Sequence, residues 1–274
     1  MKDYLRELLK QASNPLEARN LVREYLQARI LEELQKTGAM ASIAFHGGTA
    51  LRFLFRLPRY SEDLDFAYEL KHRPFDLETA ARSLKRSLRS EGYEIRVHYN
   101  DKTSVHKAAV RFVGLPYDLG ISPHKNQILA IHIEVDMDPP CGAELDTTLI
   151  RRHIPLHLHH HNPSSLLAGK CHAILQRTYT KGRDLFDLFW YLSDPEWPAP
   201  NLTLLNNALQ QSRWSGPRLE TRNWKSVLRE KIRSLNWHDV ISDVSSFLET
   251  EASVALLTQK NLLSLLEEPQ KPHK

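Results

Sequence analysis

The chain has little of what builds a disulfide framework or a membrane span. Of its 274 residues only two are cysteine, Cys141 and Cys171, too few for a set of disulfides or a four-thiolate metal site. In a cytoplasmic chain both are expected to be reduced. No apolar run approaches the ~18 residues that a membrane-spanning helix needs. The opening stretch MKDYLRELLKQ is charged throughout, where a secretion signal needs an unbroken apolar core. These absences point to a cytoplasmic protein. An excess of charge is lacking too: 37 basic against 33 acidic residues leave +4, which names no partner by itself. With 41% hydrophobic and 26% charged residues, wholesale disorder is excluded. The length allows one large domain or two modest ones of ~100–200 residues each.

What charge there is lies unevenly. Residues 151–184 hold six basic side chains to one acidic, and residues 211–234 hold seven to two. Two such blocks form a candidate polyanion footprint, with solvated helix faces as the competing explanation. All five tryptophans also fall in the second half. Trp214 and Trp224, interleaved with Arg213, Arg218, Arg222 and Lys225, suit either base stacking or helix packing.

Periodicity divides the chain into a mixed α/β part over 1–150 and a helical part over 151–274. Asn14-Pro15 starts a helix whose apolar positions recur near 3.6 residues and which Gly38 stops. The run 42–45 reads as a buried strand entering a Gly47-Gly48 turn, with Thr49 capping a short helix to Phe55. Asp63 and Asp65 alternate with Leu64 and Phe66, the period of a strand. An amphipathic helix over 76–91 is followed by strands near 93–98, 108–112 and 131–136. Beyond 150 the pattern turns helical, with one helix capped by Pro163-Ser164-Ser165 and running to about Arg177 and a second from about Arg183. The histidine-rich run 157–161 reads as an exposed connector, the polar tail 267–274 is expected to fray, and no internal repeat is visible. Cys171 falls within the apolar pattern of its helix and belongs to the core.

The chemistry concentrates in two stretches. A strand delivers Gly47, Gly48 and Thr49 onto a helix start, where close backbone approach and free N–H groups suit a phosphate. The next strand points Asp63 and Asp65 to one side, and two carboxylates on one face suit a hard divalent ion such as Mg²⁺. A further acid comes from the strand 131–136, where His132, Glu134 and Asp136 share the polar face. Acids on two strands make a two-metal phosphoryl-transfer site.

The stretch from Phe45 to Phe66 resembles the signature of the AbiEii/AbiGii toxin family of nucleotidyltransferases. The likeness continues at Ile133-Glu134-Val135-Asp136, at Lys170 and Arg177, and at Arg183-Asp184-Leu185-Phe186-Asp187-Leu188, covering about residues 16–190. The resemblance implies an α+β fold of the polymerase-beta-like class: leading helices, a mixed-sheet core and a helical C-terminal region. It implies that Gly47, Gly48 and Thr49 hold the triphosphate of an NTP, that Asp63 and Asp65 ligate Mg²⁺, and that the third metal acid is Glu134 or Asp136. Lys170 and Arg177 would act on phosphates, with Asp184 and Asp187 as further active-site candidates. The activity implied is transfer of a nucleoside monophosphate to an acceptor hydroxyl, with transfer RNA as the expected acceptor. The protein would be the toxin of a toxin–antitoxin pair whose antitoxin is a separate transcriptional regulator. Rival readings keep the fold but modify a small molecule, or bind RNA without catalysis.

Overall fold

The computed structural model describes residues 2–70, 73–179 and 181–267. Helix α1 (Lys2–Leu9) precedes α2 (Pro15–Lys36), whose start is set by Asn14, the side chain of which accepts from the Glu17 N–H at 2.9 Å. Pro15 at the first helical position needs no N–H there. The helix ends where Gly38 takes a left-handed φ of 77°, and Val22, Leu26, Ile30 and Leu34 are buried. After α3 (Gly47–Phe55), α4 (Leu77–Ser90) begins at Asp76, which accepts from the Glu78 N–H. The short helix α5 (Leu115–Asp118) follows.

Seven strands form one mixed sheet: β1 (Ala44–His46), β2 (Leu64–Ala67), β3 (Ile95–Asn100), β4 (Val105–Val113), β5 (Ile128–Asp136), β6 (Leu145–Arg152) and β7 (Ile154–His161), in the order β3-β4-β5-β2-β1-β7-β6. Strands β2 and β5 are parallel, as are β1 and β7, while β1–β2, β3–β4 and β4–β5 are antiparallel. One face of β4 and β5 sends Val110, Phe112, Leu129, Ile131 and Ile133 into the core, all at most 1% exposed.

The remaining helices are α6 (Pro163–Gln176), α7 (Gly182–Leu192), α8 (Leu202–Gln211), α9 (Trp224–Arg233), α10 (Trp237–Ser245), α11 (Glu251–Leu256) and α12 (Gln259–Leu265). The chain forms two compact units. One comprises Met1–Phe55, Tyr60–Pro139 and Thr147–His160; the other comprises Arg56–Arg59, Pro140–Asp146 and His161–Lys274. The second packs its own core from buried residues that include Cys171, Leu188, Leu205, Trp224 and Leu228. Gly182 lets α7 lie against α10: a Cβ there would sit 1.9 Å from the Val240 carbonyl oxygen. No helix among the described residues is long and apolar enough to cross a membrane.

The mixed α+β fold with a helical C-terminal region matches the sequence reading, and three local expectations are corrected. Residues 157–161 are no connector, and the chain past 150 is not yet helical. They lie in β7, where Leu156 and Leu158 are fully buried and alternate with His157 and His159. Histidine at the alternate positions masks a period-2 signal. His160 is buried as well, its Nε2 2.9 Å from Thr148 Oγ1. Helix α3 begins at Gly47, so Thr49 sits inside its first turn instead of capping it. Helix α6 is capped by Asn162, which accepts from the Ser165 N–H at 2.9 Å. Residues 268–274, the bulk of the tail expected to fray, lie outside the described residues.

Candidate active site

The turn between β1 and α3 is shaped by one glycine. Gly47 has a φ of +78°, a conformation most side chains avoid. A Cβ there would lie 2.5 Å from Asp65 Oδ2, so the backbone meets that carboxylate at a distance only glycine permits. Thr49 is fully buried, and its hydroxyl donates to the Asp63 carbonyl oxygen. That bond ties the start of α3 to the residues entering β2.

Strand β2 buries Leu64 and Phe66 and leaves Asp65 half-buried. Asp65 is paired across the sheet with His46 of β1 on one side and with Glu134 of β5 on the other. Neighbouring strands run ~4.8 Å apart, so Asp65 and Glu134 stand side by side on one sheet face, about seventy residues apart in the chain. Asp63 shares the parity of Asp65. Asp136 is displaced by two residues along β5, beside Ala67. Its Oδ1 accepts the Asp138 N–H at 3.0 Å, closing the turn after the strand. Lys107 lies opposite Glu134 on β4, with its Nζ 2.9 Å from Glu134 Oε1.

These oxygens have the hardness a small divalent ion prefers. Mg²⁺ is commonly held by one or two carboxylates together with substrate phosphates and water, and the adjacent Asp65 and Glu134 match that requirement. Among the described residues no group of three His, Cys, Asp or Glu side chains is disposed to hold an ion by itself. Glu134 is drawn to Lys107 in this arrangement.

The other expected residues meet in the second unit. Lys170 Nζ lies 3.0 Å from Asp184 Oδ1 and 2.7 Å from Asp187 Oδ2. Arg177 Nε is 3.0 Å from Asp184 Oδ2. Asp187, with no exposed side-chain surface, accepts a two-pronged pair from Arg59 at 2.5 and 2.6 Å. Burial works against charge on Lys170, but Asp187 and Asp184 hold its pKa above the ordinary lysine value. Burial likewise opposes the Asp184 carboxylate, and Lys170 and Arg177 hold its pKa below the ordinary range. The group stays ionised because each charge is compensated within it.

Gly47, Gly48, Thr49, Asp63, Asp65, Glu134 and Asp136 therefore belong to the first unit. Lys170, Arg177, Asp184 and Asp187 belong to the second. Sequence reasoning missed the parts played by Arg59 and Lys107, whose only local signal is a basic residue in a turn or a strand. It also overcounted the first basic block. Arg152 is spent on Glu24, Lys170 and Arg177 on the buried aspartates, and Arg183 on Asp243. Trp224 is 1% exposed, which places it in the core and removes it from base stacking.

A family model described as nucleotidyl transferase AbiEii toxin, type IV TA system, matches residues 29–259. Among solved structures, a candidate nucleotidyltransferase from H. pylori is similar at 18% identity with a TM-score of 0.53, over 90% of this chain and 92% of that one. The crystal structure of JHP933 from Helicobacter pylori is similar at 17% identity with a TM-score of 0.52, over 90% of each chain. At these identities the likeness is one of fold. No curated protein matches.

Proposed function

Because the chain belongs to the nucleotidyltransferase AbiEii toxin family of type IV toxin–antitoxin systems, we propose that it moves a nucleoside monophosphate from an NTP to a hydroxyl of transfer RNA. In the reaction a bond forms between the acceptor oxygen and the α-phosphorus while the bond to pyrophosphate breaks. Asp63, Asp65 and Glu134 would hold Mg²⁺, which when bound supplies Lewis-acid stabilisation of charge on the phosphate oxygens. Asp136 is the neighbouring acid, two residues further along the strand. Gly47 and Gly48 bring the backbone close to the triphosphate, and the free N–H groups at the start of α3 bind its oxygens. Thr49 keeps that turn fixed on Asp63. In the second unit Asp184 and Asp187 keep Lys170 protonated and oriented, and Arg177 is paired to the same Asp184. The antitoxin would be a separate transcriptional regulator, and the setting the cytoplasm.

The observation that supports this reading most is the lateral pairing of Asp65 with Glu134, next to the glycine turn. The test is incubation of the protein with each α-labelled NTP, Mg²⁺ and total RNA. Label appearing on transfer RNA with release of pyrophosphate is expected. Label moving only to a small molecule, or not moving with any NTP, would overturn the proposal.

A further inference from the structure

The side of β3, β4 and β5 that carries Glu134 is open. Arg96 and His98 of β3, Lys107 and Arg111 of β4, and His132 of β5 are all exposed. The register puts them on one face: Arg96 is directly opposite Arg111, His98 opposite Ala109, and Ala109 opposite His132, while Lys107 is opposite Glu134. Ile95, Ala108, Val110, Ile131 and Ile133, at alternate positions, form the other, buried face. This is a half-covered antiparallel sheet, and the middle of its free half carries Arg96 and Arg111 with two histidines nearby.

Two features separate it from an ordinary solvated surface. Like charges directly opposite each other on adjacent strands repel, yet Arg96 and Arg111 stand in that relation, and neither has an ion-pair partner among the described residues. An anion lying between them removes the repulsion. Moreover, the face is continuous with the acids: Lys107 contacts Glu134, which stands beside Asp65. From β3 to β2 the path crosses three inter-strand gaps, roughly 14 Å. The acids on the face sit at its ends, Glu94 just before β3 and Glu134 with Asp136 on β5, so its middle is free of negative charge.

We propose that this face, marked by Arg96, Arg111, Lys107, His98 and His132, is the docking surface for the RNA acceptor. There the two arginines would grip backbone phosphates while the acceptor hydroxyl lies toward Asp65 and Glu134. The choice of RNA as occupant rests on the transfer reaction proposed above. The charge of the face and its continuity with the acids do not.

The test measures binding without nucleotide, so that it is independent of catalysis. Fluorescein-labelled transfer RNA is titrated with wild type and with an Arg96→Gln/Arg111→Gln double variant at several salt concentrations, read by anisotropy. Both positions are exposed, and a thermal melt confirms that the variant folds. Loss of two phosphate contacts reduces the slope of log affinity against log salt by about 1.5–2 units, which narrows the gap between the proteins by about tenfold from 50 to 200 mM salt. Binding that follows the two arginines, even with no label transferred, supports the surface and overturns only the transfer reading. An unchanged slope in the double variant overturns the surface, as does a wild type that binds no RNA. So does a loss of slope confined to an Arg213→Gln/Arg222→Gln variant in the second unit. Arginine-dependent binding to phosphatidylserine vesicles with RNA binding unaffected would assign the face to a membrane and overturn the proposal.

Discussion

Glu24 offers a sharp test of how the first unit holds its site helix in place. It sits on α2 with 6% of its side chain exposed and receives Arg52 of α3, Arg152 at 3.0 Å from both Nε and Nη2, and His153 Nε2 at 3.0 Å. Arg52 belongs to the helix that begins at Gly47, so Glu24 anchors the element carrying the glycine turn. Burial alone would raise the Glu24 pKa. The His153 hydrogen bond and the two arginines overcome it and lower the pKa from 4.5 to about 2. The folded value lies below the unfolded one, so the stabilisation is complete above pH ~4.5 and is lost as pH falls through about 2. At ~1.4 kcal/mol per unit the effect is about 3 kcal/mol. Glu24→Gln leaves both arginines facing a neutral amide and should cost about 3–5 kcal/mol at pH 7. The measurement is urea unfolding followed by far-UV circular dichroism at pH 7, 4 and 3. Far-UV circular dichroism is the probe because the first unit contains no tryptophan. The gap between wild type and variant should narrow steadily below pH 4.5. A gap that stays constant down to pH 3 would refute the reasoning.

Two further outcomes follow from particular contacts. Asp187→Asn removes the charge shared by Arg59 and Lys170 and should destabilise the second unit by about 3–5 kcal/mol. Its tryptophan melting midpoint should fall by about 6–20 °C at ~2–4 °C per kcal/mol, and a shift under 2 °C would show that the cluster is not structural. Gly47→Ala places a Cβ against Asp65 Oδ2 in a left-handed backbone conformation. Nucleotide transfer should drop by about 10²-fold, the scale of a 1 Å misplacement. Near-normal turnover would mean that the turn does not position the substrate.

Local signals carried much of the fold. Asn14-Pro15 and Asp76 are read directly as helix starts, because a short side chain satisfies the first free N–H groups. The strand 131–136 is read from apolar and polar residues in strict alternation. Strand β7 escaped because its outward and inward positions are both occupied by histidine, so Leu156 and Leu158 alone carry the pattern. The choice between Glu134 and Asp136 escaped for a different reason. Both lie on the same face, and only the register against β2 sets Glu134 beside Asp65. Arg59 is bound to Asp187 across 128 residues, a relation no window of sequence contains. A linear count of charge likewise records Arg152 and Lys170 as available cations, although each is committed to a buried carboxylate.

The pairing of Asp65 with Glu134 is the claim on which the catalytic reading stands, and one comparison tests it. Glu134→Gln and Asp136→Asn are assayed side by side for transfer of label from an α-labelled NTP to RNA at saturating Mg²⁺, with folding verified by circular dichroism. The paired arrangement predicts that Glu134→Gln abolishes transfer as fully as Asp65→Asn does, while Asp136→Asn, whose amide oxygen can still accept the Asp138 N–H, remains active. Retained transfer in Glu134→Gln with loss in Asp136→Asn would contradict it.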